Sequence, residues 1–173
     1  MSARLEVQLQ DLDATSALRK LTDACEDLRK PLEAIGEHLR LETLNRFERQ
    51  VDPDGQPWKP SKRARKLGGK TLVATGELRS KFNAQLIAGG LEFGTDIVYA
   101  AAHQFGVDKV VTVGAHVRKV SRAFGRQLPV PVSSNVRSHQ RKMFMPVRRM
   151  IGWTDTDDEV ARENFTNHLV QVL

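Results

Sequence analysis

Apolar positions along this chain keep a helical period at both ends and a period of two in the middle. Leu18, Leu21, Cys25 and Leu28 fall at i, i+3, i+7 and i+10, which predicts a helix over 14–28 with Asp13 as its cap. Cys25 then reads as a small buried residue of that face. A second stripe, Leu32, Ile35, Leu39, Leu44, Phe47 and Val51, begins at Pro31, which either opens a new helix or kinks one longer rod. Asp52-Pro-Asp-Gly stops it. From Lys81 the apolar residues alternate: Phe82, Ala84 and Leu86, then Leu91, Phe93 and Thr95, with Ala88-Gly-Gly90 as a hairpin turn. Tyr99 to Gln104 reads as one or two helical turns closed by Gly106. Val110–Val113 and Val117–Ser121 read as a strand pair, and 143–151 as a return to the sheet. Leu128-Pro-Val-Pro-Val132 is extended, but its prolines confine it to an edge or a loop. A last helix starts near Asp155–Asp158, whose carboxylates suit its positive end, and presents Val160, Ala161, Phe165, Leu169 and Val172.

Helices at both ends and strands between them predict an α+β fold. Its helices pack on a small, mainly antiparallel sheet that carries a long basic hairpin or loop insert. The length of 173 residues suits a single domain. Within it, 1–51 is helical, 52–80 is a basic Pro/Gly loop with a short helix capped by Thr75, 81–151 is the sheet with the insert at 107–143, and 152–173 is the C-terminal helix. Trp58, between Pro57 and Pro60, reads as a plug that pins the loop to the body.

Charge divides the chain further. The formal net charge is +6, from 27 basic and 21 acidic residues. Segment 59–70 holds six basic residues and no acid, and segment 107–149 holds ten against Asp108 alone, leaving 11 basic and 20 acidic elsewhere. Such a two-sided molecule suits a polyanion or an acidic neighbour in an assembly. The candidate contacts are Lys62, Arg63, Arg65 and Lys66, and Arg118, Lys119, Arg122, Arg126, Arg137, Arg141 and Lys142. Phe124 is the only aromatic residue in 107–143, so base stacking is thin and any DNA contact is to the backbone.

Catalytic chemistry is hard to place. Ala64-Arg-Lys-Leu-Gly-Gly-Lys-Thr71 ends like a phosphate-binding loop but lacks its first glycine and the buried strand before it. His38, His103, His116, His139 and His168 are scattered, without metal-ligand spacing, and no nucleophile lies beside a base. Neither an enzyme, a cofactor nor a metal is expected. The single cysteine fits a reducing compartment. No 18-residue apolar run and no apolar leader is present, so neither export nor a membrane is expected.

Four motifs occur in order: Gly55-Gln-Pro57-Trp58; Leu72-Val-Ala-Thr75-Gly76-Glu-Leu78; Tyr99-Ala-Ala-Ala-His103-Gln104-Phe-Gly106; and Pro146-Val-Arg148-Arg-Met-Ile-Gly152. In that arrangement the chain resembles the phage virion morphogenesis (tail completion) family over about 30–165, with the basic insert between Gly106 and Pro146 as a departure. The resemblance implies a connector-like fold and a structural protein of a tailed phage or prophage. It further implies a homo-oligomeric ring, six-fold, at the head–tail junction, built in the host cytoplasm beside other neck, head-completion and tail-tube or terminator proteins. The insert then touches a neighbouring subunit, a neighbouring ring or the DNA lumen. A free-standing, sequence-nonspecific DNA-binding protein using 59–70 and 107–149 is the alternative.

Overall fold

The computed structural model describes residues 12–123 and 125–171. It is α+β, in two compact units: Met1–Ile97 with Arg149–Leu173, and Val98–Arg148.

In the first unit, α1 (Leu12–Glu26) precedes α2 (Arg29–Arg49), and Asp27-Leu28 breaks the two apart. Pro31 therefore lies inside α2, in its first turn, where its missing N–H costs nothing. Asp13, expected as a cap, lies within α1 and not before it. Cys25 is a correction: it is exposed, and Ala24 is the buried residue, 6% exposed. Leu21, Ala24 and Leu28 form the covered face, one position round from the predicted one.

Helix α2 is the spine. Ile35, Gly36, Leu39, Thr43, Arg46 and Phe47 are buried, because α2 packs against α6 (Asp155–Val170), α4 (Glu77–Ser80) and the hairpin β1 (Asn83–Ile87) with β2 (Gly90–Gly94). A helix covered on so many sides buries more than one apolar stripe. Gly36 permits the closest approach: a Cβ there would stand 2.6 Å from the Ala84 Cβ. The helix ends on Gln50 in the left-handed region, φ 62°, two residues before the expected stop. An aromatic chain completes the core, Trp58 to Phe47 to Phe82 to Phe93, with centroids 5.2, 5.8 and 6.2 Å apart.

The β1–β2 hairpin matches its prediction. Ala84 faces Phe93 and Leu86 faces Leu91, which puts the alternating apolar set on one face. Two parts of the 52–80 stretch differ from expectation. Lys62–Leu67 is a short helix, α3, capped by the Ser61 hydroxyl, which accepts from Ala64 N–H at 3.1 Å. Gly76, not Thr75, is the N-cap of α4, at φ 83°, while the Thr75 hydroxyl accepts from Glu77 N–H at 3.4 Å. Helix α6 begins with a capping box, Thr154 and Asp157 reciprocally bonded. Val160, Ala161, Phe165 and Leu169 are half-buried on it, and Val172 lies outside the described residues.

The second unit starts with α5 (Ala100–Phe105), closed by Gly106, and continues into strands β3 (Val107–Val113), β4 (His116–Ala123), β5 (Arg126–Val136) and β6 (His139–Met145). Here the strand pairing corrects the sequence reading. Residues 110–113 do not pair with 117–121; β3 pairs with β6, and β4 with β5, both antiparallel. Gly114-Ala115 does not reverse the chain, which turns instead between Ala123 and Arg126, with Gly125 at φ 77°. The two ladders keep the same register on either side of a gap: Val107 faces Met145, Val113 faces His139, His116 faces Val136 and Val120 faces Val132. The result is a two-stranded ribbon in two parts, separated at Gly114-Ala115 and Arg137-Ser138: about 20 Å of β3 with β6 and about 14 Å of β4 with β5 as far as Val120, at a strand's rise per residue. Its bulge lies at Val120/Arg122, opposite 128–131, so Pro129 and Pro131 sit where the ladder is already interrupted. The predicted return to the sheet holds only through Met145, and 146–154 is irregular.

Candidate functional site

Each motif builds a fixed loop. In the first, Asp52 Oδ1 accepts from Asp54 N–H at 3.0 Å and Gln56 N–H at 2.8 Å, which folds the turn at Gly55, φ 77°. Val51 bridges Pro57, and Trp58, 5% exposed, donates its indole N–H to the Arg149 carbonyl at 2.9 Å. Arg149 also pairs with Asp52 and Asp54. Gly152 lies against Pro53, where a Cβ would come within 2.6 Å of the ring. The first motif and the end of the fourth thus interlock as expected of a plug.

The second motif supplies Leu78, 3% exposed, to the core. Before it, Gln50 bonds the backbone N–H of Thr71, and Glu48 holds both Lys70 and Arg79. Lys70 beside it keeps the Glu48 carboxyl below the ordinary carboxylate value. Lys70 and Thr71, the end of the phosphate-loop look-alike, are therefore engaged in the fold.

The third motif meets the start of the fourth. Arg148, 5% exposed, donates its backbone N–H to the His103 carbonyl at 2.8 Å, and its guanidinium lies 3.5 Å from His103 Nδ1. Tyr99 stands edge-on to the His103 ring at 6.4 Å. Burial first, then the Arg148 charge, holds the His103 imidazole below its ordinary value, and burial lowers Arg148 as well. Gly106 has φ 72°, and a Cβ there would meet Val147 Cγ2 at 2.9 Å and the Met145 carbonyl oxygen at 3.1 Å. Gln104 and Pro146 are half-buried beside these residues in sequence. This knot closes the root of the ribbon.

Of the basic candidates in 59–70, Lys62, Arg65 and Lys66 are exposed on α3. Arg63 is turned inward and donates to the carbonyls of Lys70 and Val73 at 2.5 and 3.2 Å. On the ribbon, Arg118, Lys119, Arg122, Arg126, Arg137, Arg141 and Lys142 are all exposed. Only Lys142 pairs with an acid among the described residues, Asp108 at 3.3 Å. No two of these basic residues sit opposite each other: Arg118 faces Ser134, Lys119 faces Ser133, Arg122 faces Gln127 and Arg141 faces Val111. Like charges would repel directly across the ladder, and the register avoids this.

Between the charges lie exposed apolar side chains: Val110 62%, Val117 64%, Val130 71%, Val132 57% and Phe144 62%. Pattern reading placed most of these valines in strands or extended chain but did not show that they stay exposed among the charges. It also missed the buried network around Asp157, 1% exposed, which binds His38 Nε2 at 2.8 Å and Arg46 at 3.7 Å. Asp157 showed in the sequence only as a helix-capping carboxylate. Among the described residues, no group of His, Cys, Asp or Glu is placed to hold a metal, and no helix is long and apolar enough to cross a membrane.

Compared with known proteins, residues 9–170 match the model of the phage virion morphogenesis family. No curated protein and no solved structure shows a significant match.

Proposed function

Since the chain belongs to the phage virion morphogenesis family, and so serves in building a phage particle, we propose that it is a tail-completion subunit of the neck. In this reading it closes into a homo-oligomeric ring, six-fold, at the head–tail junction and helps to join tail to head. Its partners are copies of itself and the neighbouring neck, head-completion and tail-tube or terminator proteins. It works by shape and cohesion, without catalysis, cofactor or membrane.

The observation that carries this reading is the ribbon. A two-stranded hairpin is marginal in water unless a further surface covers it. Here a ribbon with exposed valines and a phenylalanine among eight exposed basic residues is closed at its root by the His103–Arg148 contacts of its own unit. A closed root and an uncovered, adhesive shaft are what a subunit needs to engage another body. Ring closure requires two different patches per subunit, so that each contact is head-to-tail.

Excision of 115–137 tests the proposal. Gly114 and Ser138 then form a two-residue turn between Val113 and His139, which already face each other. The shortened chain should keep the helical part of its circular dichroism, yet give no ring in native mass spectrometry and fail to join heads to tails in extracts. Normal joining by the excised protein refutes the role of the ribbon.

A second reading is sequence-nonspecific binding to the DNA backbone. It rests on the single acid, Asp108, in the whole of Val98–Arg148, against nine basic residues. A monomer that shifts duplex DNA at physiological salt, with no ring under any condition, would favour it.

A further inference from the structure

The first unit contains a cleft that fits the ribbon in chemistry. It opens where α1 meets α2 and runs beneath the β1–β2 turn, with a volume of about 720 Å³. Leu32, Leu86 and Ile87 line its apolar part, and Asp23, Glu26 and Asp27 supply acids at its rim against one base, Arg29, which pairs with Asp27 at 3.5 Å. Ile87 is 52% exposed and the three acids are exposed. The outer half of the ribbon, β4 with β5, carries the complement: Val130 and Val132 are exposed on the face that bears Arg118 and Val120, with Arg122 and Arg126 beyond them, while Val117 and Lys119 lie on the other face.

Charge is distributed between the units in the same sense. Val98–Arg148 holds nine basic residues and one acid, while the other unit holds 18 basic and 20 acidic residues. An apolar floor alone would accept many partners; an acidic rim selects a basic one and rejects an acidic polymer such as DNA.

From this fit we infer that the cleft receives the outer ribbon of a second copy of the chain. The inference deepens the ring reading and rests on it: ribbon and cleft are different patches, so the contact is heterologous and propagates from subunit to subunit. Val130 and Val132 enter beside Leu32 and Ile87, and the arginines pair with Asp23 and Glu26 and compete with Arg29 for Asp27. No residue of the motif-built loops takes part.

The only cysteine reports on the cleft. Cys25 is exposed and lines it, so a maleimide probe of the full-length protein reads its occupancy directly. In the oligomer, labelling of Cys25 should slow by about tenfold relative to dilute monomer, as expected when the site is open about a tenth of the time. Asp23→Lys, Glu26→Lys and Asp27→Lys together should abolish both oligomer and protection while leaving the circular dichroism unchanged. Adding Arg118→Glu, Arg122→Glu and Arg126→Glu to that variant should restore both, which a folding defect could not do. An oligomer whose Cys25 reacts at the monomer rate, or a swap that fails to rescue, overturns the cleft while the ring reading stands. A chain that is monomeric at every concentration overturns both.

Discussion

Thr43 is 0% exposed on α2, and its Oγ1 has no hydrogen-bond partner among the described residues. A buried hydroxyl left unpaired costs about 1–3 kcal/mol, whereas a methyl of the same shape has nothing to satisfy. Thr43→Val should therefore raise stability by about 1 kcal/mol, read as a higher urea midpoint with an unchanged slope; a lower midpoint refutes the assignment. His103 gives a prediction in pH. Its imidazole is held below the ordinary 6.5 by burial and by Arg148. The unfolded chain then takes up its proton before the folded one does, so this contribution is complete above that value and is lost as the pH falls through the folded value. Protection of amides in Val98–Arg148, after correction for the intrinsic pH dependence of exchange, should fall between neutral pH and about pH 5, and His103→Gln should flatten the change. At this scale the sequence was legible where a residue's shape dictates its place, as with Trp58 in its proline-flanked turn. Cys25 and Ala24 were not separable, because both are small and adjacent and only the final rotation of α1 decides which is covered.

The elements are tied together by polar groups as much as by apolar ones. Asp157 on α6 takes His38 and Arg46 of α2, and Arg46 also donates to the Met150 carbonyl at 3.4 Å. Removing one member of a buried charged set strands the others. Asp157→Ala should cost about 3–5 kcal/mol, and it should do so far more severely than Asp158→Ala, whose partner Arg162 is solvent-exposed. Thermal unfolding of the two variants checks the ordering; equal losses would show that only the helix cap matters. A polar residue in a helix reads as outward-facing, so Thr43, Arg46 and Asp157 were invisible as core. Strands fared differently from their partners. Alternation located the β1–β2 hairpin because its turn is local, but nothing in Val107 announces Met145, 38 residues on, as its partner.

For the molecule as a whole, the electrical two-sidedness read from the sequence coincides with the two units: the excess of basic residues lies in Val98–Arg148 and the excess of acids outside it. Assembly through such surfaces is sensitive to screening. Between about 0.1 M and about 1 M salt the screening length falls from about 10 Å to about 3 Å. The oligomer should loosen over that range, in sedimentation equilibrium, without loss of helix content. Growth of the oligomer with salt would show that its contacts are apolar alone. The family was readable from four short motifs because each sets a turn that few residues can make. The use of the insert was not readable, because it depends on which side chains of two distant strands share a face.

The register shared by the Val107/Met145 and the Val120/Val132 ladders makes the ribbon a ruler. Cutting two facing pairs shortens its reach by about 7 Å and leaves every remaining side chain aimed as before. Cutting one pair turns everything beyond the cut onto the opposite side. Length in this part of the chain is therefore adjustable only in even steps, and a variant trimmed by an odd step should measure correctly and still fail to grip.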